Sequence, residues 1–557
     1  MKTEMTLRPA AVLPAPPNAF SPIWRNETIL CWFLIVIAFS LLAGAYRAGL
    51  AAGLHTYIGT HSGGQFLGGV CAVATKWLVG VGNYVCLGEV STIMANLGLA
   101  PAGPTWPGFL ADRVFLDEAL RSLFYRPHWV VPVTTSGPPY NGITGIGWGM
   151  DNGYADFVNL AFHIFGPAIK SLYRGYWLVC GISYVLFAIA YRRTVVPLVL
   201  LVAAAVSQYI FFSSNILWSN DFAWLASQNA HVHGPTTPRF LSSICVIPAL
   251  HLLCATWDPG RLRWREAMLL GLQGIVLCLA IQQRTTVYWV VAAAVLLAAL
   301  QYVFLLRPTP VEQKSRHHLI LAGLLGLLVL NTAYLKIVTH PGLAARGYTA
   351  THTLWGSLFY SLQAHPDWRT RYSAEFENEV GDGVASVAWH RYLVRHPSQA
   401  RKFMDSDGNI TQALIEQMTK KAFIEFAKHD PIFVLDMYVF YNPHMIFIQG
   451  AALVGVVAKG IPVVFLLFLI ALGFVISIVS SRATLRLLMV SVPLVAILCI
   501  SSSLPSWATL VMATSMTDFL VLLLIVGVLL TIILGVSGGL ILRRILSDTS
   551  KIRAGEF

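Results

Sequence analysis

Apolar residues in this chain gather into long, nearly unbroken runs, unlike the alternating or one-faced patterns of water-soluble strands and helices. The runs centre on 28–49, 174–191, 194–218, 240–257, 267–284, 286–306, 318–338, 460–480, 487–504 and 517–541. Several approach or exceed the roughly 18–20 residues that a helix needs to cross the bilayer core. With no water there to bond backbone amides, each run is predicted to satisfy them internally as a helix. The expected fold is therefore an all-α polytopic membrane protein of about ten transmembrane helices. A polar leader containing Pro9, Pro14, Pro16, Pro17 and Pro22 precedes the first run. No small-residue cleavage pattern follows that run, which predicts an uncleaved anchor rather than a signal peptide.

The polar connections alternate in character. Lys2, Arg8 and Arg25 precede the first run, and Arg192 and Arg193 follow the second. Arg261, Arg263 and Arg265 follow the fourth, Arg307, Lys314 and Arg316 the sixth, and Arg482 and Arg486 the eighth. Arg543, Arg544, Lys551 and Arg553 close the chain. With ten spans all of these share one side, which the positive-inside bias makes cytoplasmic, together with both termini. The division that follows is a leader (1–27), a transmembrane module (28–338), a second outer loop (339–459), the last transmembrane helices (460–541) and a basic cytoplasmic tail (542–557). The first module carries its own outer loop, 50–173. Its apolar stretch 65–98, interrupted by Lys76 and Glu89, is predicted to form helices lying at the membrane surface, since one more span would invert every later loop. Residues 444–458 are read in the same way, as a helix leading into the eighth span. In the second loop Ile410, Leu414, Met418, Ala422, Ile424 and Phe426 recur with helical period, predicting a helix around 409–429.

Composition fits this picture: 56% of the 557 residues are hydrophobic and 11% charged, against roughly 25% charged in soluble domains. The formal charge of +12 is scattered among short loops, so it points to membrane orientation rather than to nucleic acid. Eight cysteines show no metal-ligand spacing. Cys31, Cys180, Cys245, Cys254, Cys278 and Cys499 fall in apolar runs and are expected to pack as small hydrophobes. Cys71 and Cys86 sit on the expected outer side, where a disulfide is chemically permitted.

Candidate chemistry concentrates in the outer loops. The first offers Asp112, Asp117, Glu118, Asp151 and Asp156. Asp151 follows a Gly-rich aromatic stretch, Tyr140 to Gly149, and Asn152-Gly153 suits a turn. Its carboxylate is thus predicted at a loop-to-helix junction, suited to take a proton from a sugar hydroxyl or to hold a divalent cation. The bland alternative is a helix cap. Asp151 and Asp156 lie five apart, about 140° around a helix, and so do not share a face. Tyr154 and Trp148 are candidates for stacking on a sugar ring. Arg239 precedes the fourth run, and Arg284 lies between the fifth and sixth, in Gln282-Gln283-Arg284-Thr285-Thr286. Both stand against the charge bias on the outer side, where a guanidinium can bind phosphate bidentately or snorkel to lipid head groups. His231 and His233 have the spacing of some metal ligands but no identifiable third partner. In the second loop His352, Trp355, Trp389, His390 and Arg391 could line an acceptor site, and Glu375, Glu377, Glu379 and Asp382 read as a solvated face. Asp518 begins the last run, and an acid at that depth is functional by default.

The segment Asp151-Asn-Gly-Tyr154, with a small/apolar helical run through Ala161 to Gly166 just before the second span, resembles the first-loop signature of the GT-C superfamily of membrane glycosyltransferases. The family form is close to Asp-Glu-x-Tyr-Tyr, so Asn152 stands where a second acid is common. The resemblance implies many spans, a catalytic acid in the first large outer loop and a polyprenyl-phosphate-linked sugar donor. It implies Asp151 as the base, with Asp117 and Glu118 as the alternative acids. Tyr154, Asp156, Trp148, Arg239, Arg284, His233, His352 and Trp355 are then the substrate-binding candidates. A divalent cation, Mg or Mn, is compatible with such a site, and no metal-binding set is named. The acceptor is expected to be a glycan or a lipid, and short cytoplasmic loops suggest a bacterial inner membrane. Three readings stand beside this one: a polysaccharide ligase or polymerase using lipid pyrophosphates, a transporter or flippase, and a non-catalytic scaffold. Nearly uncharged span centres and the lack of matching halves weigh against transport.

Overall fold

The structure is a computed structural model. It describes residues 22–56, 69–70, 73, 86–87, 121, 143–144, 152–213, 237–257, 262–284, 286–301, 311–338, 354–379, 382–400, 412–448, 463–503 and 517–553.

The first module contains α1 (Pro22–Ala51), α2 (Asn152–Phe165), α3 (Ile169–Tyr191), α4 (Val195–Ser213), α5 (Pro238–Leu241), α6 (Val246–Trp257), α7 (Trp264–Gln283), α8 (Val287–Gln301) and α9 (Val311–Val338). The second loop supplies α10 (Leu354–Leu362), α11 (Trp368–Arg371), α12 (Asp382–Arg395), α13 (Gln412–His429) and α14 (Pro431–Leu435), and α14 runs on into a π-helical turn, Asp436–Tyr441. The chain closes with α15 (Val463–Val479), α16 (Arg482–Ser502) and α17 (Thr517–Arg553). A two-residue antiparallel ladder joins β1 (Cys86–Leu87) to β2 (Ile143–Thr144) inside the first loop. The chain is thus a helical polytopic membrane protein, and eight of its described helices are long and apolar enough to cross a bilayer.

Each of the ten apolar runs assigned to a span coincides with a helix among the described residues, whereas the stretch 65–98, expected to be surface helices, lies mostly outside them and forms strand β1 at Cys86–Leu87. Seven of the eight long helices coincide with expected runs, and the shorter helices Ser242–Trp257, Val287–Leu300 and Val463–Val479 account for the others. The eighth long helix, Pro431–Ile448, falls inside the segment read as an outer loop. Both of its faces carry apolar residues: Phe433 and Met437 are buried, while Ile432, Leu435, Val439, Phe440 and Phe447 are exposed. Its start has a sequence cause, because the Asp430 carboxylate accepts the Phe433 N–H at 3.0 Å and Pro431 needs no N–H partner in the first turn.

Helix ends separate into two sets. At one end of the bundle Glu27 accepts the Ser481 N–H at 2.8 Å, and Arg543 donates to the Ile478 carbonyl. Arg316 pairs with Glu266 at 3.0 Å and donates to the Ala255 carbonyl. At the opposite end the Tyr173 hydroxyl donates to the Tyr46 carbonyl at 2.8 Å, Gln282 donates to Asn331 at 2.9 Å, and Asn331 donates to Tyr288. The ends that the charge pattern assigns to a common side are the ends that meet.

The tightest crossing lies between α15 and α17. A Cβ on Gly473 would collide with the Ile532 carbonyl oxygen, one on Gly535 with that of Ile470, and one on Gly539 with the Ser477 hydroxyl. Gly473 and Ser477 are one turn apart, as are Gly535 and Gly539. Small residues at this interval let two backbones touch, which is how helices associate where lipid removes the hydrophobic drive. All six cysteines of the apolar runs are free thiols, five of them buried and Cys278 partly so. Cys71 and the side chain of Cys86 lie outside the described residues.

The second loop has its own core. Phe359, Trp368, Tyr372, Phe376, Phe426 and Phe433 are buried together, with Trp368 and Phe376 ring centroids 5.0 Å apart. The expected helix appears as α13 and buries Met418, Ala422, Phe423 and Phe426, whereas Ile424 faces outward. At its edge the buried His365 meets Asp436 at 3.0 Å.

Candidate functional site

The site is built around α2. Its buried positions Tyr154, Phe157, Val158, Ala161 and Phe162 recur at i, i+3, i+4, i+7 and i+8, the spacing of one helical face. That face packs on α3, where Gly175 leaves room for Phe157 and Ala161. Gly166 ends the helix with φ +81°, a conformation that favours glycine. Its carbonyl accepts the Ser171 hydroxyl at 2.5 Å, turning the chain into the next helix.

The first turn of α2 is pressed against the end of α7. A Cβ on Gly153 would lie 2.6 Å from the carbonyl carbon of Gln282 and 2.7 Å from its oxygen, so only glycine fits there. One turn further on, Asp156 accepts a hydrogen bond from the Tyr334 hydroxyl, which ties α2 to α9. Helix α2 therefore bridges the ends of α7 and α9.

Next to Gln282 come Gln283, 0% exposed, and Arg284, 8% exposed. The Arg284 N–H donates to the Ala280 carbonyl at 3.0 Å, and the Val287 N–H to the Arg284 carbonyl at 3.1 Å, making a tight turn into α8. Within electrostatic reach of Arg284 is Asp518, the second residue of α17 and 1% exposed. Its carboxylate lies within the field of the Arg284 guanidinium and beside the amides of its own helix terminus, where a macrodipole favours negative charge. Among the described residues no hydrogen bond satisfies either polar atom of the Gln283 carboxamide or the Thr286 hydroxyl, and no side chain hydrogen-bonds the Asp518 carboxylate. Leaving a buried polar group unsatisfied costs about 1–3 kcal/mol, so several at one turn constitute a local energetic debt. Helix α5, which carries Arg239, packs against both α7 and α17.

The structure thus brings the start of α2, Arg284 and the helix of Arg239 to one end of the bundle, with Asp518 beside them. Asp151, Asp117, Glu118, Trp148, His233 and His352 lie outside the described residues, as does the side chain of Arg239; Asp151 directly precedes α2 in the chain. Tyr154 is placed differently from the expectation of a sugar-stacking ring. It is 0% exposed and its ring covers Gly69, so the ring serves packing. Asp156 is partly exposed and engaged by Tyr334. Trp355 belongs to the second core: its backbone N–H donates to the Glu416 carboxylate at 3.1 Å, its ring lies 5.7 Å from that of Phe423, and Lys420 stands 5.5 Å from its centroid. Gln283 and Thr286 were not singled out from sequence. The available signal was a polar pentapeptide between two apolar runs. Among the described residues no three His, Cys, Asp or Glu side chains converge on a metal-sized site. No family model matches the chain, and no curated protein or solved structure is detectably similar to it.

Proposed function

We propose that the chain is a membrane glycosyltransferase that moves a sugar from a polyprenyl-phosphate-linked donor to a glycan or lipid acceptor at the outer face of a bacterial inner membrane. In this reading ten helices span, both termini are cytoplasmic, and the segments 50–173 and 339–459 face outward. Helix Pro431–Ile448 then lies along the surface, because a further span would invert the last three helices. The observation that carries the reading is the seating of α2, whose chain begins directly after Asp151, against Gln282 and so beside the buried Arg284.

Asp151 acts as the general base on the acceptor hydroxyl, which attacks the anomeric carbon while the lipid phosphate departs. Arg284 and Arg239 offset the charge growing on that phosphate. Displacement in one step inverts the anomeric centre. A ligase using lipid pyrophosphates would rely on Arg391 instead, and that side chain is engaged by Glu375 at 3.7 Å and Glu377 at 3.9 Å and lies over Phe376, a structural setting.

The test is sugar transfer from a radiolabelled polyprenyl-phosphate donor in membranes. Asp151→Asn is expected to lower the rate by about 10²–10⁴, the range of general-base catalysis, with Arg391→Ala close to wild type. Undiminished transfer in both Asp151→Asn and the Asp117→Asn, Glu118→Gln double variant would reject the proposal.

A further inference from the structure

Among the buried polar atoms of the described residues that lack a hydrogen-bond partner, several belong to one short stretch and its surroundings. Gln283 is fully enclosed with both carboxamide atoms unsatisfied, the Thr286 hydroxyl three residues on is unsatisfied, and the buried Asp518 carboxylate, in the field of Arg284, has no side-chain hydrogen-bond partner. The turn 283–287 is held by backbone hydrogen bonds of its own, so these side chains are not needed to shape it. A purely structural position would be filled better by apolar residues of the same size.

The chemistry of the set is specific. A carboxylate offers only acceptors, a carboxamide offers both donors and an acceptor, and a hydroxyl offers either. Such a combination complements neighbouring hydroxyl groups on a ring, while the guanidinium of Arg284 in the same turn suits a phosphate oxygen. We infer that Asp518, Gln283 and Thr286 bind the hydroxyls of the sugar ring in a glycosyl phosphate head group whose phosphate lies at Arg284. This assignment rests on the reading of the chain as a user of polyprenyl-phosphate-linked sugars and adds the groups that recognise the sugar itself. The carboxylate takes its hydrogen bonds from the ring, and the amide and hydroxyl fix the orientation of the ring relative to the start of α2.

The experiment compares two probes on the purified full-length protein in lipid nanodiscs: bare polyprenyl monophosphate, and the same lipid esterified with glucose, galactose or mannose. Wild type is expected to bind at least one glycosylated form about tenfold more tightly than the bare lipid. In Asp518→Asn and Gln283→Leu that ratio falls to about one, affinity for the bare lipid stays within about twofold, and the thermal midpoint is equal to or above wild type. Arg284→Gln is expected to weaken both probes. An unchanged ratio in Asp518→Asn overturns the assignment, and so does a thermal midpoint lowered by several degrees in both variants, since that marks the groups as structural. The two failures separate. Asp518-dependent discrimination in a protein without transferase activity leaves this site standing and removes the enzyme. Asp151-dependent transfer with an indifferent Asp518 does the reverse. A wild type that binds neither probe removes both.

Discussion

At the scale of single residues the second-loop core contains a titratable device. The Tyr372 hydroxyl donates to Asp430 at 2.5 Å, and the same carboxylate accepts the Phe433 N–H. These two donors hold the Asp430 carboxyl below its usual range. Burial, followed by the bond and charge of Asp430, pushes the Tyr372 phenol up to about 12. The signs follow from linkage. A depressed acid contributes stability that is present above its unfolded pKa and is lost as pH falls through the lower folded value. A raised phenol contributes stability below its unfolded pKa, lost as pH rises toward 12. The second core is therefore expected to loosen below about pH 4, near the reference value for Asp, and again in strong alkali. Tyr372→Phe should move the acid limb to higher pH and remove the alkaline one. Tryptophan fluorescence of Trp368 during pH titration reads both limbs, and an acid limb unmoved by Tyr372→Phe would contradict the assignment.

At the scale of elements, the helical run after Asp151 was legible but its buried face was not: Tyr154 was expected to stack on a sugar, whereas with Phe157, Val158, Ala161 and Phe162 it forms the packed face of α2. The apolar runs were legible, since hydropathy and length are local quantities. The Pro431–Ile448 helix was not. Its Asp436, Tyr438, Tyr441 and Asn442 break the apolar run, and only the fold shows that one face is turned to Phe359 and Phe426 while the other is bare. The α15–α17 crossing was equally hidden, since a glycine in an apolar run does not announce which helix it touches. Gly535→Leu is expected to force the two backbones apart and cost about 1–3 kcal/mol, as overpacking does, whereas Gly527→Leu, with open space around it, should be nearly neutral. Thermal unfolding of both variants in detergent tests this, and equal midpoints would contradict it.

At the scale of the whole molecule, charge alternation divided the helix ends into two sets, and the hydrogen bonds between distant ends respect that division. What one sequence could not supply was the meeting of residues far apart in the chain. Asp518 and Arg284 come from helices separated by the entire second loop, and nothing local to either position names the other. The same holds for Gly153 and Gln282. The membrane sidedness is checked by engineered cysteines in intact cells. Positions 160 and 164, on the exposed face of α2, are expected to react with an impermeant maleimide from outside. Positions 263 and 481 should react only after the cells are opened. The reverse pattern would place Asp151 across the bilayer from any outer-leaflet donor.

The glycine seam between α15 and α17 also restricts how the molecule can move. Two helices in backbone contact cannot slide or roll past each other without unlocking, so they travel as one stiff beam, and Asp518 rides at its tip. Any breathing that admits a lipid head group to the turn at 283–287 must therefore come from the opposite wall. There the first turn of α2 meets α7 at Gly153 and α9 through the Tyr334 phenol, while its apolar face stays packed on α3, so the joint to be loosened is the one at Gly153 and Tyr334.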